Sequence, residues 1–227
     1  MSYIVASMPP QIAADLLEKA QRVETATIGH RRHMGFMDAA IQAILPNRRI
    51  AGTAVTLALP GQDSTLLHHV VQFLRPNDIL VIDRLGDHKH ACLGGGVAVA
   101  IKATNCVGVV IDGTCTDVPE IEQYDLPVWC RGPAPITTRL YDAGGSFNID
   151  ISCGGAVVHP GDVVVCDASG CLVMPPSEAE SDINWALGKQ ASEPAAHRAM
   201  EKGELLGGRS GASAMVEAKL KAAANIA

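Results

Sequence analysis

Aromatic residues are scarce, with Phe, Trp and Tyr together making 4% of the 227 residues. A base-stacking surface is therefore a poor reading, and the core falls to Val, Ile, Leu and Ala. Positive charge is also short: 18 Lys and Arg face 24 Asp and Glu, a formal net charge of −6. No segment supplies the basic stripe that a phosphate backbone or an anionic membrane needs, so neither nucleic acid nor membrane is expected as a partner. Long apolar runs are missing too; residues 107–111 are typical and far too short to span a bilayer. The opening residues Met1-Ser2-Tyr3-Ile4-Val5-Ala6 carry no basic stretch leading into an apolar one, so no secretory signal is read and a cytoplasmic protein is expected. No Cys-x-x-Cys spacing occurs among Cys92, Cys106, Cys115, Cys130, Cys153, Cys166 and Cys171, which argues against a thiolate zinc site. Their odd number and apolar settings favour reduced, buried thiols. Cys115 alone lies in a loop-like segment beside other candidate site residues, and it is carried as a candidate nucleophile if its pKa is lowered.

What remains is a chain 48% hydrophobic with 22 Gly and 13 Pro, of a length that suits one α/β domain. Apolar spacing predicts helices over 10–23 and 34–45. Residues 50–59 read as a strand, and Asp63-Ser64-Thr65 can cap a helix reaching Leu74. Residues 79–83 and 107–113 are short, continuous apolar runs of the kind buried on both faces. A glycine loop and a helix over 97–104 lie between them, so these two strands should pair in parallel. Later β-like runs at 127–131, 146–152, 156–159, 162–166 and 171–174 suggest a partly antiparallel sheet packed on the α/β part. From about residue 177 the chain reads as a helical tail, broken at Pro194, Gly203 and Gly207-Gly208. No internal repeat or linker divides it, and the expectation is a single domain over 1–227.

Two loops carry chemistry. Gly94-Gly95-Gly96, after one strand and before a helix, lets backbone N–H groups point at a carboxylate or phosphate, or simply makes a tight turn. No Walker Lys-Ser/Thr follows, and the spacing is not Gly-x-Gly-x-x-Gly. Asp112-Gly113-Thr114-Cys115-Thr116-Asp117 follows the next strand, at the strand end where ligands bind in open α/β folds. Asp117 can hold a hard divalent cation with waters completing the shell, or cap the helix beginning Val118-Pro119-Glu120; both roles can coexist. Between the strand at 79–83 and the glycine loop, Arg84, Lys89 or His90 could bring positive charge to an anion. His88 and His90 with Asp87 could instead ligate a metal, or the stretch could be a solvated loop. Of His68 and His69, one ring should face the core; Arg131 reads as structural or substrate-binding.

Asp63 with His68, the run 76–83, the Gly94 loop and Gly108-Val109-Val110-Ile111-Asp112-Gly113 with Asp117 resemble the RraA-like family. The resemblance continues through residues 127–132, Gly154-Gly155, His159-Pro160-Gly161-Asp162, Asp167, Gly170 and Pro175. That family includes 4-hydroxy-4-methyl-2-oxoglutarate and 4-carboxy-4-hydroxy-2-oxoadipate aldolases and the RraA regulators of ribonuclease E. The resemblance implies a β/β/α sandwich with a helical C-terminal tail, assembled as a homotrimer or homohexamer with sites between subunits. It also implies Mg²⁺ or Mn²⁺ at Asp117 and the carboxylate of a small 2-oxo or hydroxy acid on the amides of Gly94, Gly95, Gly96 and Val97. Glu193, from a neighbouring subunit's C-terminal helix, would support metal-bound water. The implied reaction is retro-aldol cleavage or decarboxylation through a pyruvate-type enolate. The sequence departs from the aldolase pattern twice: Thr116 stands where the family has Arg, and Gly95 where it has an acid. Loss of a charge-contacting Arg removes transition-state stabilisation, so an altered substrate is expected, with Arg84 and His90 as candidate replacements. Other readings are a non-catalytic regulator that docks on a ribonuclease, and an enzyme of another type using the His88/His90 loop.

Overall fold

The computed structural model describes residues 2–224, which fall into two compact units divided between Ala186 and Leu187. The first unit begins with β1 (Tyr3–Val5), α1 (Ala14–Ala20), α2 (Thr25–Ile28), β2 (Gln42–Ala43) and β3 (Ile50–Ala58). It continues with α3 (Thr65–Val70, extended by a 3₁₀ turn), β4 (Asp78–Asp83), α4 (Gly95–Ala103), β5 (Gly108–Asp112), α5 (Val118–Gln123) and β6 (Val128–Cys130). Short strands follow: β7 (Gly145–Phe147), β8 (Ile151–Cys153), β9 (Ala156–Val158), β10 (Val163–Asp167) and β11 (Gly170–Met174).

The strands β3, β4, β5 and β6 pair in parallel in chain order, joined by α3, α4 and α5. Along its other edge β3 takes β10 antiparallel over Ile50–Thr53 and β7 over Leu57–Ala58, and β10 turns back into β11. Successive side chains of a strand point to opposite faces, and the core divides accordingly. Val55, Leu57, Leu80, Ile82, Val109 and Ile111 pack with Leu67 and Val70 of α3, Ile101 of α4 and Ile121 of α5. On the reverse face Ala54, Ile79, Val81, Val110 and Trp129 pack with Ile151 and Cys153 of β8 and with Ala156 and Val158 of β9. The result is the α/β, β/β/α layering expected. Parallel strands so covered need apolar residues on both faces, which is why 79–83 and 107–111 are continuous runs.

Three local expectations fail. Residues 34–45 form no helix. Gly35 O accepts the Val173 amide, Met37 N–H donates to Cys171 O, and Asp38 N–H to Gly154 O, so the segment runs alongside β11 with its backbone groups engaged there. Residues 10–13 are not helical, Ala13 being extended, and the first helix is only Ala14–Ala20. The run 146–152 is two strands separated by a turn in which Asn148 has φ +55°.

The tail is helical as expected, with α6 (Pro176–Glu201), α7 (Leu206–Ser210) and α8 (Ala212–Ala224). Pro194 does not break it. The helix is exposed there and runs on to Glu201, and the Ser192 hydroxyl donates to Lys189 O at 2.7 Å. Within the first unit, α6 is tied down by Arg32, which pairs with Glu178 at 2.8 Å and Asp182 at 3.0 Å. Among the described residues no helix is long and apolar enough to cross a membrane.

Candidate functional site

Beyond the sheet, the loops after β4 and β5 pair with each other. Leu93 bridges Cys115, Thr116 N–H donates to Leu93 O at 2.8 Å, and Cys115 bridges Pro133 in turn. This continuation of the strand order carries Asp117 to the amino end of α4. There Asp117 Oδ2 accepts the Gly95 amide at 2.9 Å and Oδ1 the Thr116 hydroxyl at 3.2 Å. Asp117 has left-handed backbone, φ +53° and ψ +47°, and its carbonyl rather than its side chain starts α5 by accepting Glu120 N–H and Ile121 N–H. The side-chain cap expected of it is therefore not made, and the carboxylate is left exposed over the glycine loop.

Glycine is required where this contact forms. A Cβ on Gly94 would lie 2.6 Å from Asp117 Oδ2, and one on Gly95 would lie 3.1 Å from Glu120 Cβ and Cγ. Glu120 thus occupies the space into which an acid at position 95 would project. Gly96 meets nothing within 4 Å. The amides of Gly96 and Val97 belong to the first turn of α4, where a helix offers no internal acceptor, and they add to the positive end of its dipole.

Around this point a cleft of about 530 Å³ opens. One end is Gly94, Gly95, Gly96, Val97, Thr116 and Asp117, so the structure brings together six of the residues singled out from sequence. The rest is lined by Ala91, Cys92, Ala100 and Thr104, by Ser64, His68, Val71 and Gln72 from α3 and its flanks, and by Thr137 and Thr138. Sequence reasoning missed most of this wall, because residues 64–72 and 137–138 meet α4 only through the fold. The one signal was His68, which like His69 lies exposed on α3, so neither ring faces the core as expected.

Other expectations are corrected. Arg84 does not line the cleft. It is fully buried, donating to the carbonyls of Gly61 and Asp63 and pairing with Asp87 at 3.4 Å, while its Nε has no hydrogen-bond partner. Its stem packs where a Cβ on Gly113 would sit, 2.5 Å from Arg84 Cγ, which holds it beneath the loops. His90 is engaged by Asp87, Nδ1 to Oδ2 2.8 Å, and lies outside the cleft lining. Burial disfavours ionised Asp87, but hydrogen bonds from Lys89 N–H and His90 outweigh it and hold the carboxyl below its usual range. His88 faces Asp112 at 3.4 Å, so the two imidazoles do not converge. Arg131 is bound to Asp112 at 2.5 Å. Cys115 is buried, with its Sγ 3.6 Å from that of Cys130; that hydrogen bond and burial push its thiol far above the ordinary range, the opposite of an activated nucleophile. All seven cysteines are free and buried, as expected. Glu193 lies on α6 in the second unit.

The donor set can be tested against the implied cation. Among the described residues there is no group of three or more His, Cys, Asp or Glu side chains placed for a metal, which disfavours a site of zinc type. One exposed carboxylate, each oxygen accepting a single hydrogen bond, over a loop a Cβ would obstruct, suits Mg²⁺ or Mn²⁺, which keep most of their waters. Asp117 is the residue that would hold it.

A model of the RraA-like family, described as Aldolase/RraA, matches residues 13–173. A Halalkalibacterium halodurans protein named "Putative 4-hydroxy-4-methyl-2-oxoglutarate aldolase" is 31% identical over 164 residues, 72% of this chain and 78% of that one. The crystal structure of Streptomyces coelicolor RraAS2, described as an unusual member of the RNase ES inhibitor RraA protein family, aligns with TM-score 0.73 and 25% identity over 85% of this chain and 98% of that one. An uncharacterized Pseudomonas syringae protein shares the fold, with TM-score 0.73 and 22% identity over 87% and 98% of the two chains.

Proposed function

The chain belongs to the RraA-like, Aldolase/RraA family, and from that premise we propose that it is a lyase that releases pyruvate from a small 2-oxo acid with the support of Mg²⁺ or Mn²⁺ at Asp117. The observation that carries this reading is the Asp117 carboxylate set against the amino end of α4 inside the cleft. A carboxylate and a 2-oxo group are adjacent on such a substrate. The amides of Gly96 and Val97 suit the first, and Asp117 stands beside the second. A cation held there supplies positive charge for the oxygen that becomes an enolate.

In retro-aldol cleavage the C3–C4 bond breaks, the 4-hydroxyl loses its proton as it becomes a carbonyl, and the electron pair stays on C3. Protonation of C3 then gives pyruvate. The residues of this chain bind and orient: the α4 amides fix the carboxylate, and Gly94 lets the Asp117 carboxylate approach. Thr116, whose hydroxyl donates to Asp117, steadies that carboxylate but brings no charge to the substrate. Regulation by docking on a ribonuclease, the other reading, requires no such cleft.

The direct test is pyruvate release, read with a coupled reductase, from 4-hydroxy-2-oxo acids and oxaloacetate in Mg²⁺ or Mn²⁺. Turnover that disappears in Asp117→Asn supports the lyase. Equal turnover by the variant, or none by the wild type across those acids, overturns it.

A further inference from the structure

Among the described residues Arg84 is the only fully buried arginine. Taking a guanidinium out of water is costly unless its charge is met and each N–H finds an acceptor. Here neither condition is complete. Nε has no partner, and Asp87, the carboxylate paired with Arg84, stands at 3.4 Å. That carboxylate is turned instead to His90 Nδ1 at 2.8 Å and to the amides of Lys89 and His90 at 2.9 and 3.3 Å. Other carboxylates of these loops are spent on amides: Asp83 on that of Leu85 at 2.6 Å, Asp63 on those of Tyr141 at 2.8 Å and Ala143 at 3.0 Å. A positive charge is thus left only partly neutralised inside the protein.

That charge stands behind the floor of the cleft. Arg84 donates to Asp63 O, and the next residue, Ser64, lines the cleft. Its charge also reaches Cys92 of the lining: burial pushes that thiol up to about 11, and the guanidinium opposes the rise. The stem is packed against Gly113, where a Cβ would lie 2.5 Å from Arg84 Cγ, and the head grips the carbonyls of Gly61 and Asp63. So held, Arg84 acts on a ligand through space and not by contact. In a buried setting such a charge is screened little by water or salt.

We infer that Arg84 is a positioning residue, a fixed charge beneath the cleft floor that draws an anionic group onto the α4 amides in place of the contact guanidinium that Thr116 does not supply. This rests on the amino end of α4 as an anion site, part of the lyase reading, and adds a contribution from below it. A charge has a sign, which packing does not: it favours an anion and opposes a cation in the same cleft. Groups that a neighbouring subunit brings to the cleft are the same in wild type and variant, so they leave this difference in sign unchanged.

The test titrates oxalate, and separately Mn²⁺, into the full-length wild type, Arg84→Met and Asp87→Asn by calorimetry, at low and at high salt. Arg84→Met, which removes the charge, should weaken oxalate binding about tenfold, the scale of one poorly screened charge, and leave Mn²⁺ binding equal or tighter. Asp87→Asn, which leaves the charge unopposed, should do the reverse, with oxalate tighter and Mn²⁺ weaker. The oxalate effect should persist at high salt. Loss of both ligands in Arg84→Met, or weaker oxalate in Asp87→Asn, means that the pair only holds the loops together and overturns the inference. Where melting shows that Arg84→Met does not fold, Asp87→Asn decides alone. Mn²⁺ bound by none of the proteins, with oxalate still following the sign of the charge, overturns the metal at Asp117 and supports Arg84; oxalate bound by none of them overturns both.

Discussion

Gly94 and Gly96 are two residues apart in one loop, yet only the first is held to glycine by its neighbours. Gly94→Ala would drive a methyl group into Asp117 Oδ2, so a loss of Mn²⁺ affinity of about 10–100-fold is expected by titration, the usual cost of displacing a ligand's support. Gly96→Ala meets open space and should keep that affinity. Asp63 shows how a buried carboxylate can be structural. Its two oxygens accept the amides of Thr65, Tyr141 and Ala143 and the Thr65 hydroxyl, and although burial opposes ionisation these bonds hold its pKa below 3.8. A depressed folded-state pKa contributes stability above the unfolded value and loses it as pH falls through the folded value. Asp63→Asn should therefore lower unfolding free energy by about 1–3 kcal/mol at pH 7. In melts, the gap between variant and wild type should shrink below pH 4; an unchanged gap would mean that the carboxylate's charge is not what matters.

At the scale of elements, legibility followed how locally each segment is determined. Strands β3, β4 and β5 could be read because parallel strands covered on both faces must be apolar throughout, and the loops after β4 and β5 because strand, glycine turn and helix follow in direct succession. The segment 34–45 could not be read. Its apolar spacing suits a helix, but Gly35 has φ +89° and a Cβ there would lie 2.1 Å from Val173 O, a contact created only when β11 arrives 138 residues later (173 − 35). Gly35→Ala should destabilise the fold by about 1–3 kcal/mol in denaturant melts, whereas the same change at Gly188 on α6, where nothing lies within 4 Å, should not. The far wall of the cleft was illegible for the same reason. Arg84 was misread because charge in a sequence normally signals exposure, while here backbone carbonyls and Asp87 satisfy most of a buried guanidinium.

For the whole molecule, many of the residues that carried the family resemblance turn out to hold the fold. Asp78 fixes Arg75, Asp162 accepts the His159 amide, and Asp167 accepts the Thr25 amide and hydroxyl while Trp129 donates to its carbonyl. The family was thus more legible than the chemistry proposed at Thr116 and Asp117. The surface keeps exposed Tyr3, Ile4 and Val5 on β1, with Leu140 and Tyr141 also exposed. If these are covered by other copies in the expected trimer or hexamer, sedimentation should give that mass, and Ile4→Asp should lower it; a monomeric wild type would refute the assembly. The central claim concerns the amino end of α4, and Mn²⁺ titration followed by electron paramagnetic resonance, with and without oxalate as a mimic of pyruvate enolate, tests it most directly. The wild type should bind Mn²⁺ more tightly when oxalate is present, and Asp117→Asn, melting at the same temperature, should lose both effects; undiminished binding by that variant would contradict the account.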